Sequence, residues 1–571
     1  MLSRDGMTAL LALPAARRIA GVALLLAACM VVYWPALRGE FVWDDRMNIV
    51  ENEAVRSPGG LATIWAEPGA QPQYFPLTYS LFWLEHRFFG LETGGYHLVN
   101  VLLHGVTAFL LWMALGRLGL AAAFPAALFF AVHPVQVESV AWITELKNVL
   151  SGVFFAGSLL AWLAASSGPG GERPPPGRPA RVAAFLLFTL GMLAKTSGMG
   201  LPLVFLGLAW WSRGRVTRDD LVRVAPFAAV SAVLPLAVLW RERVDVVLDH
   251  RFFELSLLHR ILLAGRVFWF YLARIILPGR FSFIYPRWSI DPTALPDWFP
   301  LLAAVALFVL LWRLSGRLGR GPLTALASFA VMIAPFLGLV PFYFNRYSYV
   351  ADHFVYLGAA PVLGLVVAAM ERTIRKAFPS RPARWLTTGL WCLVAIGLGL
   401  SARTRAGVFA GQELLWRDTI AANPSALMAY NNLGNHLLES GRVEEAVGEF
   451  GKLLARDPAY PGGNYNLGNA LVAAGREAEA EEAFRREIRR YPGNVEAMNN
   501  LGTLLVRMDR PTAAVDVLAA AASARPLDSG ILTNLGFALL LAGRREEATR
   551  TFVRALELDP GNVKARAGLG F

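Results

Sequence analysis

Ile19 to Leu37 is the first of eleven apolar segments that fill the chain up to residue 402. The others are 97–116, 120–136, 149–165, 182–194, 198–212, 224–240, 298–312, 323–341, 354–370 and 386–402. A helix needs about 20 apolar residues to cross the hydrocarbon core of a bilayer. Within that core the backbone must satisfy its own hydrogen bonds, so segments of this kind fold as helices. The chain is 55% hydrophobic and only 17% charged, too apolar for a soluble protein of 571 residues. The expected fold class is therefore all-α, a polytopic helical membrane part followed by something different.

The net charge of +12 would suit nucleic acid if the cations formed a patch. They gather instead between apolar segments: Arg17 and Arg18; Arg173, Arg178 and Arg181; Arg213, Arg215, Arg218 and Arg223; Arg313, Arg317 and Arg320; Arg372, Arg375, Lys376, Arg381 and Arg384. That is the positive-inside pattern, so no nucleic-acid partner is expected. It puts the start of the chain in the cytoplasm, and residues 38–96 and the C-terminus outside. No small-residue cleavage site follows the first segment, which reads as an uncleaved span. Tyr74 to Phe89 suits a helix in the interface. Ile261 to Leu277 would upset the arginine parity as a span. It is read as interfacial or re-entrant, amphipathic through Arg266 and Arg274. Cys29 and Cys392 both lie in apolar segments and read as inert small hydrophobes.

After residue 402 the composition changes. Pro424, Pro458, Pro492, Pro526 and Pro560 recur every 34 residues, as do Asn-Leu-Gly triplets at 432, 466, 500 and 534. Ala446, Ala480, Ala514 and Ala548 keep the same period. This is the tetratricopeptide pattern of paired helices, about four repeats. Gly441, Gly475 and Gly543 close three first helices, with Asp509 in that place in the third repeat. The expected boundaries are a membrane domain at 1–402 with its first exterior loop at 38–96, a juxtamembrane linker at 403–422, and repeats at 423–571. Asn432, Asn466, Asn500 and Asn534 stand in register, and a ladder of amides can hold an extended polypeptide or partner protein. They serve equally well to satisfy groups between helices.

Ionisable residues beside membrane segments need a reason. Asp44 and Asp45 in FVWDDRMN, His133, Glu138, Glu145 and Lys147 in HPVQVESVAWITELKN, Lys195, and Arg346, Asp352 and His353 in FNRYSYVADHF all fall at the exterior face. Carboxylates and cations gathered there suit glycosyl transfer from a lipid-linked sugar phosphate. A carboxylate would take the acceptor proton, and cations would balance the departing phosphate. Asp44 and Asp45 with His133 or Glu138 could also ligate a divalent metal, Mg or Mn, although adjacent acids equally suit a metal-free base with an orienting partner.

The stretches FVWDD with Asn48, HLVNVLLH at 97–104, HPVQVESVAWITELKNVLS at 133–151, LAKTSG at 193–198 and YVADHFVYLG at 349–358, with the repeats, make the chain resemble the transmembrane and tetratricopeptide-repeat protein family. More broadly it resembles membrane glycosyltransferases of the GT-C class. The resemblance implies a bacterial inner-membrane enzyme that moves a hexose, typically mannose, from a polyprenyl phosphate to Ser or Thr hydroxyls of exported protein. It implies that Asp44 and Asp45 hold the catalytic base, with Asp45 slightly favoured. Donor contacts would fall to His133, Glu138, Lys195, Arg346, Asp352 and His353, and acceptor contacts to the four asparagines. The chain departs from the family at His353, where an arginine is usual and Arg346 is the substitute at hand, and at Thr196, where an acid is usual. Two other readings compete: an envelope scaffold without enzymatic activity, and an enzyme acting on a glycan or lipid acceptor.

Overall fold

A computed structural model describes residues 15–166, 178–246, 255–340, 342–377 and 382–570. Arg173 and Arg381 lie outside the described residues. The chain divides into two compact units, Met1–Asp418 and Thr419–Phe571. Both are helical, with no strand among the described residues.

The long helices of the first unit are α1 (Ala15–Tyr33), α2 (Pro76–Phe89), α3 (Thr93–Arg117), α4 (Ala123–Val132), α5 (Val137–Ala141), α6 (Leu146–Ala165), α7 (Arg178–Ala194) and α8 (Leu201–Arg213), with the short α5 included because it carries part of the site. They continue with α9 (Arg218–Val246), α10 (Leu257–Ile276), α11 (Leu295–Arg313), α12 (Gly321–Ile333), α13 (Ala359–Ala377) and α14 (Pro382–Val408).

Five described helices are long and apolar enough to cross a membrane, Ala16–Tyr33, Thr93–Arg117, Ile143–Ala165, Leu295–Arg313 and Trp385–Val408. This fits a multi-pass membrane protein. The number is smaller than the eleven segments read from apolarity, and the backbone gives the reason. The 120–136 segment bends by 52° between α4 and Pro134–Ala141, because Pro134 has no N–H to continue the helix. The 182–212 stretch is divided into α7 and α8 by the 3-10 turn Thr196–Gly200. The α10 helix is amphipathic, burying Leu262, Leu263, Val267, Phe268, Tyr271 and Ile275 while Arg266 and Arg274 stay partly exposed.

Small residues let these helices close up. A Cβ on Gly191 or Gly198 would stand 2.6 or 2.3 Å from the ring of Phe155. The α2 helix packs inward as well: Thr78, Tyr79, Phe82 and Glu85 are buried, and Thr78 Oγ1 donates to the carbonyl of Ala194 at 2.9 Å, beside Lys195.

The second unit contains four helix pairs: Leu427–Glu439 with Val443–Arg456, Gly463–Ala473 with Glu477–Arg490, Val495–Arg507 with Pro511–Ala524, and Ser529–Leu541 with Arg545–Leu558. Val563–Leu569 follows them. The Asn-Leu-Gly period has a packing cause. A Cβ on Gly434, Gly468, Gly502 or Gly536 would sit 2.7, 2.6, 2.4 or 2.5 Å from Phe450, Phe484, Leu518 or Phe552 of the second helix. The residue closing each first helix is left-handed, and Asp509 adopts φ +57° in the place that glycine holds elsewhere.

Candidate active site

FVWDD leaves α1 through the turn Ala36–Arg38 and is bent at Trp43, whose φ of +47° is left-handed and unusual for a bulky residue. Aromatic packing fixes it there. Its ring stacks on Trp142 at 5.4 Å and 24°, and meets Phe283, Tyr347 and Trp416 edge-on. The bend sends the two following acids to different surroundings.

Asp45 is fully buried. Its Oδ1 accepts from the backbone N–H of Thr144 at 2.7 Å and from Thr144 Oγ1 at 2.5 Å, and its Oδ2 accepts from Val42 N–H at 2.8 Å. Burial and the neighbouring charge of Asp44 push its pKa up to about 8, against the pull of those three donors. Asp45 therefore clips the loop onto the turn between α5 and α6.

Asp44 is different. Its carbonyl accepts from the backbone N–H and side-chain Nδ2 of Asn48, at 2.9 and 2.8 Å, and Asn48 Oδ1 accepts in turn from Tyr79 Oη at 2.5 Å. The carboxyl oxygen Oδ1 is buried and has no hydrogen-bond partner among the described residues. Burial raises the Asp44 pKa to about 6; Lys147 opposes that shift and Glu145 adds to it. A held backbone with an uncommitted carboxyl oxygen is the arrangement a proton acceptor needs.

Beside it lies a charged cluster built on Glu145. Lys147 Nζ and Lys195 Nζ are each 3.0 Å from this one carboxylate, on Oε1 and Oε2. Asn148 Nδ2 donates to Oε2 at 2.5 Å and reaches Ser139 Oγ and the carbonyl of His353 at 3.1 and 3.0 Å. Two ammonium groups share one carboxylate, so the triad carries an unbalanced positive charge. Glu145 is thus the carboxylate that pairs with Lys195. Glu138 closes the other side: its Oε1 lies 2.5 Å from His353 Nδ1 and its Oε2 accepts from Asp352 N–H at 3.2 Å. His353 Nε2 lies 3.9 Å from Glu145.

Glu138, Lys195, Asp352 and His353 thus come together with the aspartate loop, although Asp352 turns its carboxylate to Tyr285 Oη at 2.9 and 3.2 Å. His133 does not join them. Its Nδ1 accepts from Val135 N–H at 3.2 Å, capping the turn at Pro134, and its Nε2 ties it to the Ile275 carbonyl of α10 at 3.0 Å. Arg346 lies over the rings of Tyr343 and Tyr347 at 5.2 and 5.1 Å, at the rim of the cluster. Among the described residues no three His, Cys, Asp or Glu side chains are grouped to hold a metal. His133, bonded to Val135 and Ile275, is not grouped with the two aspartates.

Reading the sequence missed Thr144 and Asn148 as site residues, although both lie in the ITELKN stretch. It also missed Tyr285, which no motif marks, and Arg274, whose guanidinium sits 5.0, 5.6 and 5.3 Å from the rings of Phe270, Phe281 and Tyr285.

In the second unit the asparagines bond to one another. Asn466 Nδ2 donates to Asn431 Oδ1, Asn500 Nδ2 to Asn469 Oδ1 and Asn534 Nδ2 to Asn499 Oδ1, each at 2.8 Å. Asn432 Oδ1 accepts from Asn431 Nδ2 at 3.3 Å. One N–H of three ladder residues is thus spent between repeats, and all four side chains remain half-buried on one face.

A family profile described as tetratricopeptide repeat matches residues 398–464, 431–495, 465–529 and 499–563. The chain is 24% identical over 460 residues to the Caenorhabditis elegans protein O-mannosyl-transferase F38B6.6, covering 77% of this chain and 63% of that relative. It is 38% identical over 161 residues to the human protein O-mannosyl-transferase TMTC1, covering 25% and 18%. The chain therefore spans less than two thirds of these relatives. Among solved structures it is similar to YrrB, titled a TPR protein with an unusual peptide-binding site, at 27% identity, TM-score 0.26, and 27% and 80% coverage. The findings make the chain a relative of the proteins named transmembrane and tetratricopeptide-repeat O-mannosyl-transferases.

Proposed function

We propose that the protein is a membrane glycosyltransferase acting on protein, moving a hexose such as mannose from a polyprenyl-phosphate donor to Ser or Thr hydroxyls. The observation that carries this reading is the buried, unpartnered Oδ1 of Asp44 next to the Lys147–Glu145–Lys195 triad. In the proposed step Asp44 takes the hydroxyl proton, the acceptor oxygen bonds to the anomeric carbon, and the bond from that carbon to the phosphate oxygen breaks. The electron pair leaves with the polyprenyl phosphate. Lys147 and Lys195 balance the charge that develops there, while Asp45 and Asn48 hold the loop. Glu138 and His353 border the same space on the donor side.

The relatives' names support transfer to protein. The arginine pattern supports a bacterial inner-membrane enzyme with its site on the exterior side. The repeats would hold the extended acceptor through the carbonyl oxygens of Asn466, Asn500 and Asn534, raising its local concentration at the site. Incubating purified protein with polyprenyl-phosphate hexoses and envelope proteins, with mass spectrometry of the modified residues, tests this. Hexose on Ser or Thr that disappears with Asp44→Asn is the expected result. Transfer only to glycan or lipid, or transfer that survives Asp44→Asn, would overturn it.

A further inference from the structure

The first unit holds a cavity of about 900 Å³ between α3, α6, α8, α12 and α13. Phe155, Leu201 and Leu357 line one end, and Arg372, Thr373 and Lys376 line the other. The α13 helix begins at Ala359, just after Asp352 and His353 of the charged cluster. At 1.5 Å per residue, Lys376 lies about 26 Å further along its axis. The cavity therefore runs from near the cluster toward the opposite membrane face. Its lining is largely apolar and includes no Asp or Glu. Among the described residues neither Arg372 nor Lys376 has an ion-pair or hydrogen-bond partner, whereas Arg375, on the same turns, pairs with Glu371 at 2.5 Å.

A basic mouth on an apolar slot between membrane helices fits a lipid with an anionic head. We propose that this cavity holds an acyl chain of an anionic phospholipid whose phosphate is met by Arg372 and Lys376, in the leaflet away from the Glu145 cluster. Charge complementarity selects this occupant over the tail of a donor lipid. A donor with its phosphate at Lys147 and Lys195 would bring only hydrocarbon to the two unpaired cations. The proposal does not depend on the transferase reading.

Native mass spectrometry of the full chain, purified and exchanged into phosphatidylglycerol or phosphatidylcholine, tests it. The expected result is one retained phosphatidylglycerol, preferred about tenfold or more over phosphatidylcholine, as two basic contacts imply, and not displaced by inorganic phosphate. Arg372→Gln with Lys376→Gln should abolish the preference. Arg375→Gln should leave it, and Ala368→Phe, which narrows the slot but keeps both cations, should lower retention. Equal retention of the two lipids by the unaltered protein would overturn the proposal without reference to any variant. So would an unchanged preference in the Arg372/Lys376 variant, or displacement of the bound lipid by a polyprenyl phosphate.

Discussion

Asp44→Asn and Asp45→Asn should separate chemistry from structure, because the two neighbours are held so differently. Asp44 has its pKa raised from 3.8 to about 6, burial being the largest cause. A carboxyl whose pKa is higher in the folded state opposes folding once it ionises. The cost begins above pH ~4, grows to pH ~6 and is then constant. Two units at about 1.4 kcal/mol each give roughly 3 kcal/mol at pH 7. An amide also dislikes burial, so Asp44→Asn should stabilise the protein by about 1–3 kcal/mol at pH 7, and by less as the pH falls to 4. The same change removes the proton acceptor, which should lower transfer by about 10²–10⁴-fold. Asp45→Asn sets two effects against each other: its carboxyl is raised further, to about 8, so the amide relieves a larger ionisation cost, roughly 4 kcal/mol at pH 7. An amide keeps an oxygen for Thr144 but turns its NH₂ toward Val42 N–H, donor against donor, at a cost of about 1–3 kcal/mol. Thermal melting of the full chain at pH 4 and pH 7, beside hexose transfer to a peptide, measures both. A stable, inactive Asp44→Asn and a folded Asp45→Asn that keeps transfer are expected. An active Asp44→Asn, or a folded but inactive Asp45→Asn, would refute the division of roles.

In the unaltered protein, transfer should rise with pH through about 6, where Asp44 loses its proton, and a profile flat from pH 5 to 8 would contradict that. Lys195→Met leaves Glu145 with one ammonium instead of two and should raise the KM for the donor and cut kcat by about tenfold or more. A normal KM and kcat would remove Lys195 from the donor site. In the repeats, Gly468→Ala places a methyl against Phe484 and should cost about 1–3 kcal/mol, whereas Asp509→Gly should gain about 0.5–1 kcal/mol by relieving a left-handed residue; hydrogen exchange of the full chain reads both. Replacing Asn432, Asn466, Asn500 and Asn534 by Ala should weaken acceptor glycosylation while costing about 0.5–1.5 kcal/mol for each inter-repeat hydrogen bond lost. Unchanged transfer would confine the asparagines to the second role.

The repeats were legible because each helix pair buries the same contacts at the same period, and even the exceptional Asp509 stood where a left-handed residue was needed. The membrane helices were legible as apolar segments but not as spans. Apolarity measures burial, and the break inside 120–136 depends on one residue, Pro134, whereas the junction between 182–194 and 198–212 was legible. In the candidate site, the FVWDD and HPVQVESVAWITELKN stretches are brought together by the fold. The roles within them did not follow, because they arise from contacts across long sequence separations: Thr144 with Asp45, Glu145 with Lys195, and Glu138 with His353. His133 looked like a ligand because a histidine near acids usually invites that reading, yet the adjacent proline needed a cap.

Trp43 explains why two consecutive aspartates have unlike roles. In an ordinary extended loop, neighbours point to opposite sides and both find water. Here a bulky residue is held at φ +47°, a conformation that costs about 1–2 kcal/mol, by a stacked Trp142 and three edge-on rings. Trp142 belongs to the same turn whose Thr144 receives Asp45, and Asn100 Nδ2 holds that turn by donating to the carbonyls of Trp142 and Ile143 at 3.3 Å each. The bend, the clip and the turn therefore form one rigid assembly. That assembly holds both carboxylate oxygens of Asp45 with donors and leaves Asp44 Oδ1 without one. Asp44 keeps Oδ1 uncommitted and, raised only to about 6, is ionised near neutral pH, as taking a proton from a hydroxyl requires, whereas Asp45 is raised to about 8. The strain at Trp43 is thus a cost that the aromatic packing offsets, and its product is the asymmetry between Asp44 and Asp45 on which the proposed chemistry rests.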